Sequence, residues 1–244
     1  MIRSFIKAAR IKNIIIGASC CLIAFIKINS NDYISFFFSL LIVVLLMITS
    51  NLANDIFDIK IDRVNKPNRP LIKNPELKKQ FQITAFISIL TASLISFYFS
   101  IVIISIVFLS IPVLLLYTPF LKGIPLMGNI VVSFYLSLVF IFVEICISNN
   151  IAEMILPACF AFGISLIREI VKDVEDYRGD KLEKVYTLPV FMGIKKTIYF
   201  ICFLSMCFLF FCGSLVFLLN NVYYNLCVFF LVFMPIFYLI FFLV

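Results

Sequence analysis

The stretch Asn54-Asp55-Ile56-Phe57-Asp58-Ile59-Lys60-Ile61-Asp62 ends a long apolar run and leads into Asn65-Lys66-Pro67-Asn68-Arg69-Pro70. On a helix, residues four apart lie one above the other, so Asn54, Asp58 and Asp62 form one stripe of oxygen ligands, with Asp55 beside it. A second acid-rich stretch, Asp173, Asp176 and Asp180, follows the same logic at offsets of three and four, reaches back to Glu169, and leads into Lys181 and Lys184. Carboxylates at the edge of hydrocarbon are costly and are functional by default. A solvated helix end, paired to neighbours such as Arg63, Lys66 or Arg168, accounts for either stripe alone. Two stripes in equivalent places argue for a shared task.

Working outward, 64% of residues are hydrophobic, 14% are charged and mean hydropathy is +1.15, which excludes a soluble domain. A membrane helix needs about 20 apolar residues, and eight such stretches are expected, at roughly 13–29, 33–57, 81–99, 101–118, 126–148, 151–171, 197–219 and 222–244. The fold class is therefore all-α, a polytopic membrane helical bundle. Residues 1–244 read as a single membrane domain built of two four-helix pseudo-repeats, about 1–120 and 121–244. Each has its acids at the end of its second span and a proline, Pro70 or Pro189, before its third. Such duplication places sites at the repeat interface. The Asp176-Tyr177-Arg178-Gly179-Asp180 run predicts that the sixth helix ends near Gly179. A cleaved leader is not expected, because no small-residue cleavage site precedes a soluble domain.

Nineteen of the twenty Lys and Arg fall in alternate loops, and only Lys27 lies in the other set. Positive residues stay cytoplasmic, so the N-terminus and both acid stripes are expected on the cytoplasmic side of an integral, multi-pass protein. These loops also account for the net charge of +7, so no nucleic-acid partner is implied. The eight cysteines form no Cys-x-x-Cys pair and there is no histidine. A zinc site is therefore not expected, and the commonest general base is missing.

Oxygen ligands without histidine point to a hard cation. Magnesium is usually held by one or two carboxylates plus substrate phosphates, so the candidate ligands are Asn54, Asp58, Asp62, Asp173, Asp176 and Asp180. A chelated diphosphate still presents oxygens to cations; Lys66, Arg69, Lys122, Lys172 and Arg178 are placed to meet them. Lys122 is the sole charge of its loop, and a topology-setting role is the plain alternative for it.

Asn54-x-x-x-Asp58-x-x-x-Asp62 with its Asn-Lys-Pro-Asn-Arg-Pro tail, and Asp173-x-x-Asp176-x-x-x-Asp180 with Thr187-Leu188-Pro189, resemble UbiA-type intramembrane prenyltransferases. Leu116-Tyr117 through Lys122, Pro125 to Asn129, and Arg10-Ile11-Lys12-Asn13 extend the resemblance over essentially the whole chain. It implies a helical bundle around a central cavity, with two Mg²⁺ holding an isoprenyl diphosphate and catalysis centred on Asp58, Asp62, Asp176 and Asp180. Tyr117 joins the diphosphate contacts, while Arg10, Asn13 and Asn129 fall on the acceptor side. Members usually have nine spans where about eight are expected here. Many also have three residues between the tyrosine and the lysine, where Tyr117 and Lys122 have four. The Asn65–Pro70 loop resembles that of members acting on geranylgeranylglyceryl phosphate, so the implied acceptor is a glycerol-phosphate lipid. An aromatic quinone precursor and haem are the alternatives. A secondary transporter or a non-catalytic membrane protein are the rival classes; a transporter would place its polar groups near the midplane.

Overall fold

The computed structural model describes residues 2–219 and 222–243. Helices occupy each of the eight expected stretches. They are α1 (Ile2–Ala8), α2 (Ile11–Ile28), α3 (Tyr33–Phe57), α4 (Ile59–Asn65), α5 (Pro70–Lys73), α6 (Lys78–Ser96), α7 (Ile101–Leu116), α8 (Met127–Ser148), α9 (Ile155–Leu182), α10 (Leu188–Met192), α11 (Ile194–Leu219), α12 (Val222–Val228) and α13 (Met234–Leu243). No strand occurs among the described residues. Six helical segments are long and apolar enough to cross a membrane: α2, α3, α7 with its extension to Leu121, α8, α11, and Val222–Phe242. The protein is an integral, multi-pass membrane protein.

Length explains why the acids emerge from hydrocarbon. At 1.5 Å per residue, α3, with 25 residues, is about 38 Å long against a core of about 30 Å. Its last turns therefore stand clear, and α4 continues the same direction. The Asp58 N–H donates to the Asn54 carbonyl, and the Asp62 N–H to the Asp58 carbonyl, both at 2.8 Å, so the stripe persists through the junction at Asp58. The sixth helix differs from expectation. It starts later, at Ile155, and runs through Gly179 to Leu182, 28 residues in all. Gly179 does not end the helix. It lies where α9 meets the Asn65 side chain, and a Cβ there would stand 2.5 Å from the Asn65 amide nitrogen.

Helix contacts rest on small residues, as expected where lipid is as apolar as a leucine core. Ala85, Ser88 and Ala92 of α6 are buried, and α6 packs along α3. Gly128, Ser133 and Ser137 of α8 are buried, and α8 packs along α9. One apolar core joins α2, α3, α7 and α8 through Cys21, Ile42, Val107 and Val143. Another joins α9, α11, α12 and α13 through Ile170, Ile201, Leu209 and Val228. Large apolar side chains such as Phe86, Leu109, Phe210 and Phe217 face outward, as a lipid-facing surface requires. All eight cysteines are free thiols.

At the end remote from the acids, the Glu144 carboxylate is almost fully buried. It accepts the backbone N–H groups of Glu153 (2.9 Å) and Met154 (3.0 Å), just ahead of α9. Helix N-termini leave such donors unsatisfied, and a carboxylate there also complements the helix dipole. Glu144→Ala removes both acceptors from buried donors and is expected to cost about 2–4 kcal/mol of stability. Thermal unfolding in detergent should show a fall of several degrees, with Glu144→Gln intermediate.

Candidate active site

The acid ends of α3–α4 and α9 meet. Asn54, Asp58 and Asp62 from the first row, and Asp173 and Asp176 from the second, line one polar cleft with Arg10, Lys66, Arg69, Tyr117, Lys122 and Lys172. Asn65, the last residue of α4, ties the rows together. Its amide nitrogen donates to the Asp176 carbonyl at 2.7 Å, and its amide oxygen accepts the Gly179 N–H at 2.9 Å. In the sequence Asn65 opens a loop and Gly179 reads as a helix end; a pair of helix-poor residues beside the acids is the signal that they meet.

The cleft is about 20 Å³, room for about one water molecule, because cations reach across it. Lys66 Nζ lies 2.5 Å from Asp176 Oδ2, and Lys122 Nζ lies 2.8 Å from Asp58 Oδ2. Arg69 binds Asp62 at 2.9 Å and Asp55 at 2.5 Å, and Arg10 binds Asp55 at 3.0 Å. Asp55 is 3% exposed and gripped by two guanidinium groups. It therefore anchors Arg10 and Arg69. Arg10 adopts a left-handed backbone conformation (φ 54°) between α1 and α2, a strained state for a side-chain-bearing residue and one that clusters at functional sites. The Asn51 amide, donating to the Ala9 carbonyl at 2.8 Å, holds that corner in place.

Asp180 is fully buried, takes a hydrogen bond from the Thr187 hydroxyl at 3.2 Å, and leaves Oδ1 without a partner. Burial pushes its carboxyl up to about 6, against the pull of Lys122 and the Thr187 hydroxyl, while Asp176 and Asp58 push the same way as burial. Asp62 also rises to about 6 through burial, opposed by Arg69 and reinforced by Asp58 and Asp55. Burial disfavours the charged Lys122 ammonium, but the Asp58, Asp180 and Asp176 carboxylates together outweigh it and raise the Lys122 pKa. An unpartnered buried carboxylate oxygen within this set suits a hard cation. Among the described residues no three acids, cysteines or histidines converge to hold an ion unaided.

Tyr117 and Lys122 share the cleft despite their five-residue spacing. Pro119 has no N–H to give an α-helical ladder. Residues Tyr117–Leu121 form a π-helical turn instead, in which the Lys122 N–H donates to the Tyr117 carbonyl at 2.9 Å. The wider turn takes up the additional residue and keeps both side chains on one face; such turns recur at functional sites. The Thr118 hydroxyl donates to the Asn54 amide oxygen, orienting the first ligand of the stripe.

Arg178, expected among the diphosphate contacts, is exposed and lies outside the cleft lining. Two residues from Asp176 on a helix, it points away from the acid row. Asn129, expected on the acceptor side, is buried, donates to Asp173 Oδ2 at 2.8 Å and lines neither cavity.

Beyond the cleft lies a larger chamber of about 420 Å³, walled by α2, α3, α7, α8 and α9; it is mostly apolar. Ile42, Leu46, Ser50 and Asn54 on α3, and Ala161, Ser165, Glu169 and Lys172 on α9, are helical stripes that continue into the two acid rows. The two spaces share Arg10, Asn54, Tyr117 and Lys172. Asn13 lines the chamber alone. The polar and apolar linings are therefore continuous along one face.

Known proteins are similar to this chain in sequence and fold. Digeranylgeranylglyceryl phosphate synthase of Methanocaldococcus jannaschii is 34% identical over 210 residues, covering 83% of this chain and 72% of its own. The Methanobrevibacter smithii synthase is 33% identical over 198 residues, covering 78% and 70%, and that of Methanococcus aeolicus is 37% identical over 63% and 54%. A structure solved in work on the biosynthesis of digeranylgeranylglyceryl phosphate synthase in membranes superposes with TM-score 0.70 at 28% identity, covering 99% of this chain and 86% of that one. A UbiA homolog from Archaeoglobus fulgidus bound to DMAPP and Mg2+ has the same fold, with TM-score 0.76 at 16% identity over 98% of this chain and 86% of its own. The UbiA prenyltransferase family model matches residues 15–243, and with its acid rows facing each other at the mouth of an apolar chamber, this chain belongs to the UbiA prenyltransferase family.

Proposed function

We propose that this protein transfers a geranylgeranyl-class prenyl group from its diphosphate to a glycerol-phosphate lipid, in a Mg²⁺-dependent reaction at the cytoplasmic mouth of the bundle. The observation that carries the reading is the continuity of a polar, carboxylate-lined cleft with an apolar chamber at Asn54 and Tyr117. The acceptor follows from relatives named digeranylgeranylglyceryl phosphate synthase at 33–34% identity. The cytoplasmic placement follows from the basic loops beside both acid rows.

Asn54, Asp58 and Asp62 from one row, and Asp173, Asp176 and Asp180 from the other, would hold two magnesium ions on the diphosphate. Bound there, magnesium supplies Lewis-acid neutralisation of the leaving group. Lys66 and Lys122 stand on Asp176 and Asp58, and would be free to meet diphosphate oxygens where those acids held metal instead. Lys172, and Arg69 from its place on Asp62, complete the cationic wall. The bond between C1 of the prenyl chain and the diphosphate oxygen breaks, its electron pair leaving with diphosphate. The allylic cation lies beside Tyr117 in a space that excludes water, where an aromatic face attracts positive charge. The acceptor hydroxyl oxygen then bonds to C1 and its proton passes to a diphosphate oxygen. No side-chain nucleophile is needed.

The test is turnover in lipid nanodiscs with radiolabelled geranylgeranyl diphosphate. Geranylgeranylglyceryl phosphate, 4-hydroxybenzoate and haem are offered separately, with Mg²⁺ or with EDTA. Labelled lipid ether with the first acceptor alone, abolished by EDTA, is expected. Label on either of the others would overturn the acceptor assignment, and turnover in EDTA would overturn the metal.

A further inference from the structure

One cationic group is not needed by the donor. Arg168 lines the large chamber but not the diphosphate cleft. It lies one turn of α9 before Lys172, and both hold the same carboxylate. Arg168 Nη1 donates to Glu169 Oε1 at 2.7 Å, and Lys172 Nζ donates to Glu169 Oε2 at 2.9 Å. Glu169 is buried and its two oxygens hold both cations, while the Arg168 side chain stays more than half exposed. The trio keeps one net positive charge. A guanidinium has five N–H donors and an ammonium three, so one bond each to Glu169 leaves donors for a further anion. Arg168 and Lys172 stand at the polar end of a mostly apolar chamber, a pairing that suits an anionic ligand with an apolar body.

Resting on the reading above, we propose that Arg168 and Lys172 seat the phosphate monoester of the acceptor lipid, with Glu169 as the positioning residue that presents them. The prenyl chain already on the acceptor would then lie in the chamber, and the glycerol hydroxyl would face the junction at Asn54 and Tyr117. Lys172, which lines both spaces, sits between acceptor phosphate and donor diphosphate. It screens their repulsion, which a neutral chamber wall could not do.

The test is direct binding to the full chain in discs of neutral phosphatidylcholine, with geranylgeranylglyceryl phosphate and the phosphate-free geranylgeranylglycerol as probes. The wild-type protein should bind the phosphate lipid at least tenfold more tightly than the alcohol. Arg168→Gln should remove that preference with alcohol binding unchanged, and Arg168→Lys should restore part of it. In turnover, Arg168→Gln should raise the acceptor KM about tenfold or more and leave the donor KM in place. A wild-type protein without the preference, a preference surviving in Arg168→Gln, or an equal rise in both KM values would overturn the proposal. So would displacement of the acceptor by phosphatidylglycerol mixed into the disc, since the seat would then serve any anionic headgroup. Tight, phosphate-dependent acceptor binding without prenyl transfer would instead defeat the reaction assigned above and leave this seat standing.

Discussion

Replacing Asp58 by asparagine is expected to lower kcat by about 10³-fold, the scale of losing one preorganised group from a charge-stabilising site, or about 4 kcal/mol of barrier. Asp58 has two tasks in the geometry. It is the middle of the Asn54–Asp62 stripe, and its carboxylate holds Lys122 at 2.8 Å. Asparagine keeps the shape but loses the charge that draws a divalent ion. Lys122 keeps favourable neighbours in Asp180 and Asp176, so the fold should hold and the melting temperature should stay within a few degrees. The Mg²⁺ concentration for half-maximal rate should rise while the acceptor KM stays near the wild-type value. Asp176→Asn should behave alike, since it faces Asp58 and anchors Lys66. If the rows act as one unit, the double variant falls little below either single one, because such groups are strongly non-additive. Turnover within tenfold of wild type in Asp58→Asn would remove the carboxylate rows from the chemistry.

The features that were legible from sequence were those with a period. The Asn54–Asp58–Asp62 spacing reads as a helical stripe, and the long apolar runs read as helices, as the structure has them. What escaped depended on contacts between elements distant in sequence. Gly179 read as a stop because glycine is a common helix terminator, yet the helix passes through it; only the approach of Asn65, more than a hundred residues away, explains the missing side chain. Arg178 was placed by proximity along the chain, which ignores that neighbours two apart on a helix face apart. The Tyr117–Lys122 spacing looked like a departure until Pro119 was seen to force a wider turn. Arg168 reads as an ion-pair partner for the second acid row and does pair with its Glu169; that it also lines the chamber depends on packing between distant helices.

Gly179→Ala tests whether the two rows are held in register by a single contact. The new methyl would meet Asn65 at 2.5 Å from Nδ2, 2.6 Å from Cγ and 2.7 Å from Oδ1, well inside contact distance, and the α9 backbone cannot yield locally without losing its ladder. Asn65 can retreat only by giving up its bonds to the Asp176 carbonyl and the Gly179 N–H. Overpacking costs about 1–3 kcal/mol and each lost hydrogen bond about 1 kcal/mol, so destabilisation of about 3–5 kcal/mol is expected. Displacement of about 1 Å between groups that must act together costs about 10²-fold in rate. Asp176 and Lys66 flank this contact, so kcat should fall by that order even in protein that remains folded. Asn65→Ala loses the bonds without the clash and should be milder in both respects. Adding it to Gly179→Ala should relieve the collision, so that the double variant resembles Asn65→Ala alone, a coupling measurable as a double-mutant cycle in unfolding and in turnover. Strictly additive effects, or a Gly179→Ala protein as active and as stable as wild type, would mean that α4 and α9 are aligned by some other contact and that the amide of Asn65 is incidental.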